Sequence, residues 1–203
     1  VHTGEPRPGD SDEDLLRDFL AGKAGAFEAL VHRYAGELYA FVARFVSSDA
    51  AAEDVVQETF IQVHQSAGGF DRQRRFKPWL FTIAANKARD HLRGRVRKRE
   101  RSMDAAGGAG QIEGQSLLEV LSDPGEDPGA ALERDEQREL VRGIIDEMPE
   151  HLREVLLLGY YQRFPYKDIA DILGVPLGTV KSRLHAAVTH FAAAYRRRTG
   201  RTT

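Results

Sequence analysis

Apolar residues in this chain recur at three- and four-residue intervals almost from end to end, and no segment alternates in the two-residue rhythm of a strand. Residues 12–20 open with Asp12, Glu13 and Asp14, and acids in a first turn suit a helix N-terminus. Gly22 and Gly25 break that pattern. Phe27, Leu30, Val31, Tyr34, Leu38, Phe41, Val42 and Phe45 then predict one long amphipathic helix. Residues 47–49 form a turn with capping chemistry, and a further helix runs over about 51–65, before Gly68 and Gly69. After a loop over 70–77, Pro78 sits near the first turn of a helix that extends to about Arg95. Helical patterning resumes near Ala131 and continues almost to the end. The expected fold is all-α, in two small helical bundles.

The stretch between them has another character. Gly107, Gly108, Gly110, Gly114, Pro124, Gly125, Pro128 and Gly129 crowd it, and helical periodicity is weak. Leu117, Leu118, Val120 and Leu121 make a small apolar cluster inside it. The composition predicts a flexible acidic linker. The expected organisation is a disordered leader over 1–11, a first domain over 12–100, the linker over 101–131, a second domain over 132–196 and a basic tail over 197–203.

The clearest local motif is YKDIADILGVPLGTVKSRL at 166–184. Ile169, Ala170 and Leu173 give the first helix one apolar face, and small Ala170 lets a second helix approach. Gly174 supplies the positive φ of a sharp turn, and Pro176 is tolerated where the next helix starts. Val180, Leu184 and Val188 repeat every four residues and are expected to face inward. Thr179, Lys181, Ser182, Arg183 and His185 are left on the outer side, at the N-terminal end of the second helix. Donors in that place suit base edges and phosphates in the major groove. Leu152, Val155, Leu156 and Leu157, on a helix reaching Tyr161, would pack beneath this helix-turn-helix. A plain helical hairpin with a polar face is the competing account.

Two further stretches lie in the first half. In DVVQETF at 54–60, helical spacing puts Val56, Phe60 and Val63 inside and leaves Asp54, Gln57, Glu58 and Ile61 on the opposite face. An acidic face with one exposed apolar residue suits docking to a basic partner. No His or third acid stands at ligand spacing, which argues against a metal or paired-carboxylate site. In FKPWLFTIAANKARDHLR at 76–93, Trp79, Leu80, Ile83, Ala84 and Leu92 form the inner side. Asn86, Lys87, Asp90 and Arg93 lie outside. Aromatics beside a basic helix suit unpaired bases and their phosphates. Trp79 reads as core, so the loop residues Arg72, Arg74, Arg75 and Lys77 are the better nucleic-acid contacts.

Charge sharpens the picture. The chain of 203 residues has a net charge of −2, but its charges are blocked. Residues 87–101 hold eight Lys or Arg against two acids, and residues 102–136 hold nine acids against one Arg. The tail is basic again at Arg196, Arg197, Arg198 and Arg201. Such blocks suggest separate surfaces with separate partners, a polyanion for the basic ones. There is no cysteine, which excludes disulfides and thiolate chemistry, and no run approaches a membrane span.

DVVQETF, then WLFTIAANKARDHLR, then an acidic linker, then a helix-turn-helix with GTVKSRL resembles the extracytoplasmic-function group (group IV) of sigma-70 RNA polymerase sigma factors. The resemblance spans all but the leader and the linker. It implies a cytoplasmic, non-catalytic initiation factor without cofactor or metal. Its expected partners are core RNA polymerase (β and β′ subunits), promoter DNA and an anti-sigma factor. Asp54, Val55, Gln57, Glu58 and Ile61 would dock on the β′ clamp. Phe70, Arg72, Arg74, Arg75, Lys77, Asn86, Lys87, Asp90 and Arg93 would bind the melted −10 element. Thr179, Lys181, Ser182, Arg183 and His185 would read the −35 element as duplex. His185 and Ala186 stand where some members carry an aromatic and an Arg, so the −35 sequence does not transfer. A helix-turn-helix repressor, the rival, leaves DVVQETF and the Trp79 helix without purpose.

Overall fold

The computed structural model of the chain describes residues 10–71, 73–103 and 128–200. Every regular element among them is helical. Helix α1 (Asp12–Leu20) is capped by Ser11, whose hydroxyl accepts from the Asp14 N–H at 3.1 Å and donates to the Asp14 carboxylate at 2.7 Å. That bond, with Arg17 beside it, holds the Asp14 carboxyl below its ordinary value. Gly22 and Gly25, at φ of 76° and 78°, turn the chain into α2 (Ala26–Val46). Ser48 caps α3 (Asp49–Ser66), and a short 3-10 turn at Ala67–Gly69 follows.

Helix α4 runs over Phe76–Met103, past the expected end near Arg95. Arg and Lys are good helix formers, and no breaker follows Gly94 within the basic run. Its first N–H would lack an intrahelical partner; it donates to Glu13 Oε1 of α1 at 3.0 Å, a cap supplied across the fold. Most of the expected linker, residues 104–127 with its Leu117–Leu121 cluster, lies outside the described residues, as do residues 1–9 and 201–203, while Asp10 and Ser11 of the expected leader are ordered against α1 and α2. Helix α5 (Pro128–Asp146) starts within the predicted linker span, with Pro128 at a first position that tolerates a missing N–H.

The second half continues with α6 (Glu150–Leu156), α7 (Tyr166–Leu173) and α8 (Leu177–Thr199). The helix expected through Tyr161 changes to a wider π-helical path over Leu157–Tyr161. That path buries Leu157 and Leu158 while Tyr160 and Tyr161 face outward. Gly174 ends α7 at φ 65°, its N–H bonded to the Ala170 carbonyl, as the motif requires.

In the first half, Leu30, Leu38, Phe41, Val42 and Phe45 of α2 pack with Val55 and Val63 of α3 and with Leu80, Phe81 and Ala84 of α4. In the second, Val155, Leu157, Ile169, Ile172, Val180 and Ala187 form the interior. The two interiors are continuous. The Phe81 ring meets Phe164, on the turn before α7, at 5.0 Å. Arg153 of α6 donates from Nη1 to the Phe45 carbonyl (2.9 Å) and Ser47 Oγ (3.1 Å), and from Nη2 to the Asp146 (2.5 Å) and Met148 (3.1 Å) carbonyls. One guanidinium thus ties the end of α2 to the α5–α6 corner.

Two expectations about facing are corrected. On α3 the inner line is Val55, Thr59 and Val63, with Phe60, while Val56 is only half-buried. Thr59 is admitted because its hydroxyl donates to the Val55 carbonyl at 2.7 Å. On α8, Val188 is 54% exposed and Ala187 is buried in its place. At 3.6 residues per turn the seventh residue after Val180 returns closer to its face than the eighth.

Phe81→Ala should lower unfolding stability by about 3–5 kcal/mol in urea denaturation, since it opens a cavity where the halves meet. Val188→Ala, at an exposed site, should change it by no more than about 0.5 kcal/mol.

Candidate nucleic-acid and docking faces

Asp54, Gln57, Glu58 and Ile61 are exposed together on α3. They line one wall of a groove of about 620 Å³, whose other wall is Lys87, Asp90 and His91 of α4. Lys87 Nζ lies 3.3 Å from Glu58 Oε2 across it. Val55 does not belong with this set: it is 3% exposed and forms the floor, because the α3 face is rotated by one position from the expected one. An apolar edge at Ile61 beside acids and one neutralised Lys presents a mainly acidic surface.

The residues expected on the melted strand divide between two places. Lys87 and Asp90 face the α3 groove, Asp90 paired with Arg93 at 3.2 Å. Asn86 is exposed and its carbonyl accepts from Arg89 at 2.6 Å. The others gather about the start of α4. Phe70 packs on Trp79 at 4.8 Å and on Phe76 at 6.4 Å, so the half-buried Trp79 is a wall for the loop. Asp71 Oδ1 accepts from the Gln73 N–H at 3.0 Å and Arg74 lies 3.7 Å from the same carboxylate, which shapes the loop. Arg72 lies outside the described residues.

Arg75 and Lys77 are engaged elsewhere. Arg75 donates to Asp168 of α7, in the other half of the molecule. Lys77 donates to Glu37 Oε1 at 2.5 Å and stands 5.3 Å from the Phe164 ring centre. Gln162 Nε2 donates to the Glu37 carbonyl at 3.4 Å, completing this seam. Phe164, Asp168, Gln162 and Glu37 carry no local signal for it; they lie more than 80 positions from the groups they meet, except that Glu37 and Lys77 are 40 apart.

On α8, Lys181, Ser182 and His185 are exposed and Thr179 is partly so. Ser182 Oγ donates to the Thr179 carbonyl at 3.1 Å, which leaves its lone pairs outward. Arg183 differs from its neighbours. Its Nη1 lies 3.6 Å from Oε1 of Glu154, a carboxylate on α6 that is only 4% exposed. Arg89 of α4 approaches the other oxygen at 3.8 Å. Burial pushes the Glu154 carboxyl up, and Arg89 and Arg183 pull it back. Gly159 is part of the same packing: a Cβ there would meet Leu184 Cδ1 at 3.4 Å. The Leu184 side chain thus settles against the Leu157–Tyr161 segment. No group of three or more His, Asp or Glu that could hold a metal occurs among the described residues, and none of their helices is long and apolar enough to cross a membrane.

The two faces lie one in each half of the chain, and each half matches a known family. Residues 30–98 match the family Sigma-70 region 2, and residues 138–191 match Sigma-70, region 4. The chain is 35% identical to the RNA polymerase sigma-H factor of Pseudomonas aeruginosa over 178 residues, 88% of this chain and 90% of that one. It is 32% identical to the ECF RNA polymerase sigma-E factor of Escherichia coli over 177 residues, 87% and 90% of the two chains. The protein belongs to the extracytoplasmic-function sigma factors of the sigma-70 family. Among solved structures, the sigma factor RpoE in complex with the anti-sigma factor NepR from Bartonella quintana shares its fold, with a TM-score of 0.65, 24% identity and coverage of 84% of this chain and 96% of that one. CnrH in complex with the cytosolic domain of CnrY matches with a TM-score of 0.62 and 25% identity over 91% and 96%.

The Glu154 carboxyl should titrate above exposed glutamates in an NMR titration, and Arg183→Ala should move it higher still by removing a cation that favours the ionised form. The folded chain holds this proton more tightly than the unfolded one. Its contribution to stability therefore falls as pH rises from the unfolded carboxylate range through the raised folded value.

Proposed function

We propose that this chain binds core RNA polymerase through the α3–α4 groove and directs it to promoters by reading two DNA elements with its two halves. The observation that carries the reading is the pairing, in one chain, of an acidic docking groove with a basic helix-turn-helix on a separate bundle. A repressor has no use for the first. Asp54, Gln57, Glu58 and Ile61 are the polymerase contacts, over the span that matches region 2. The loop from Phe70 through Arg75, with Lys77, takes the −10 element as a melted strand. Extruding bases costs a few kcal/mol, offset by the aromatic wall of Phe70 and Trp79 and by the cations around it. Thr179, Lys181, Ser182, Arg183 and His185 read the −35 element as duplex, Arg183 by a two-pronged contact to guanine.

In this reading residues 12–100 and 132–196 are the two working domains, joined through 101–131, with 1–11 and 197–203 as leader and tail. The linker keeps two weak binders at high effective concentration for one another. The chain selects the start site and leaves bond making to the polymerase. An anti-sigma protein is the expected antagonist, supported by the two structural relatives that were solved with such partners.

The test is transcription by purified core polymerase on a genomic fragment library, with and without the chain. Transcripts from a discrete set of sites only in its presence support the reading; no new start sites, with no co-purification with core, sink it. Glu58→Lys should abolish core binding in a pull-down, because it puts a cation beside Lys87 on the docking face. Arg183→Ala should leave core binding intact and weaken discrimination among −35 sequences by about 1–3 kcal/mol.

A further inference from the structure

The loop assigned above to the melted strand lies between two aromatic residues, Phe70 and Phe76, and its far end is held from a distance. Phe76 opens α4 and is fully buried, its ring meeting Phe70 at 6.4 Å, Trp79 at 5.9 Å and Tyr34 at 5.7 Å. A helix start is ordinarily capped by a Ser, Thr, Asp or Asn just before it. That place is taken by Arg75, whose guanidinium can only donate. Arg74 precedes it, and the one acid of the loop, Asp71, accepts from the Gln73 N–H at 3.0 Å. The two residues before α4 thus offer cations suited to phosphate and no side-chain acceptor for the Phe76 N–H.

The acceptor comes from another helix. Glu13 Oε1 of α1 takes the Phe76 N–H at 3.0 Å, across 63 positions of sequence. The segment that carries Glu13 is fixed on α2. Asp12 accepts from Arg33 Nη1 at 2.5 Å and from the Tyr34 hydroxyl, Arg33 Nη2 donates to the Asp10 carbonyl at 3.0 Å, and Leu15 and Leu16 are buried. Glu13 and Phe70 also line one cleft of about 210 Å³, so the Glu13 side chain stands beside both ends of the loop. A carboxylate in that place opposes the charge of a strand, so its presence is explained by the bond it accepts and not by its sign.

We propose that Glu13 is a positioning residue for −10 recognition: by accepting the Phe76 N–H it fixes the outgoing end of the 70–75 loop, so that the melted strand meets a loop already formed. The inference rests on the reading of that loop as the strand contact. A loop ordered beforehand loses less conformational freedom on binding, which leaves more of its contact energy as affinity. Without the acceptor the first turn of α4 frays and the loop samples other paths. Apparent affinity then falls with the fraction in the competent one.

The test uses holoenzyme assembled from purified core polymerase and the full chain. Its probe is a fluorescein-labelled non-template single strand that covers the −10 element of a promoter returned by the transcription assay, followed by anisotropy. Glu13→Ala should weaken strand binding about fivefold, the scale of a lost helix cap, and leave core affinity unchanged. Glu13→Gln, whose amide oxygen accepts the same N–H, should bind the strand at least as tightly as the parent. Ser11→Ala removes the cap of α1 itself without touching Phe76, and should leave strand affinity at the parent level. On the free chain, the Phe76 amide should exchange with deuterium faster in Glu13→Ala than in the parent or Glu13→Gln. Glu13→Ala at parent strand affinity overturns the positioning role, whatever it does to stability. Equal weakening by Ser11→Ala overturns it as well, because the effect is then one of α1 stability at large. Weakening by Glu13→Gln, or unchanged Phe76 exchange in Glu13→Ala, overturns the cap as its cause. A parent holoenzyme with no affinity for the strand sinks the functional reading of the loop and this inference with it; parent binding matched by Glu13→Ala sinks this inference alone.

Discussion

The structure depends on the wide apolar arc of helix α4. Phe76, Leu80, Phe81, Ala84, Ala85 and Ala88 all lie buried, more of the helix than a single neighbour can cover. One side packs against α2 and α3, and what that leaves exposed around Phe81 is closed by Phe164. Removing this surface from water makes one continuous interior from two bundles. It also decides where charge can go. The polar positions of α4 are confined to the rims of that arc, so Lys87 and Asp90 face the α3 groove while Arg89 turns toward α6.

The seam is built from contacts that differ in kind. The ring of Phe164 and the multiple bonds of Arg153 are packing and satisfaction of backbone carbonyls, which water does not replace well inside the fold. Arg75 with Asp168, and Glu154 between two guanidiniums, are ion pairs on largely buried carboxylates.

Much of this organisation was legible in the residues. The helices of the first half, the capping at Ser48, the Gly174 turn and the polar first turns of α8 all follow from spacing and local chemistry, because a helix is held by partners three and four positions away. Three motifs in order carried the family. What went astray did so by about one position: Val55 for Val56 on α3, and Ala187 for Val188 on α8. Which residue of an amphipathic face points most directly inward depends on the neighbour it meets.

By itself, then, the sequence determined an all-helical chain of the sigma class, carrying three motifs in order, since each is written within a few turns of helix. Only the tertiary structure decided that Arg75 meets Asp168, that Arg89 and Arg183 share Glu154, and that Glu13 caps α4. These partners are separated by 29 to 93 positions, and nothing local in a helical pattern specifies which face of one bundle will cover the exposed arc of another.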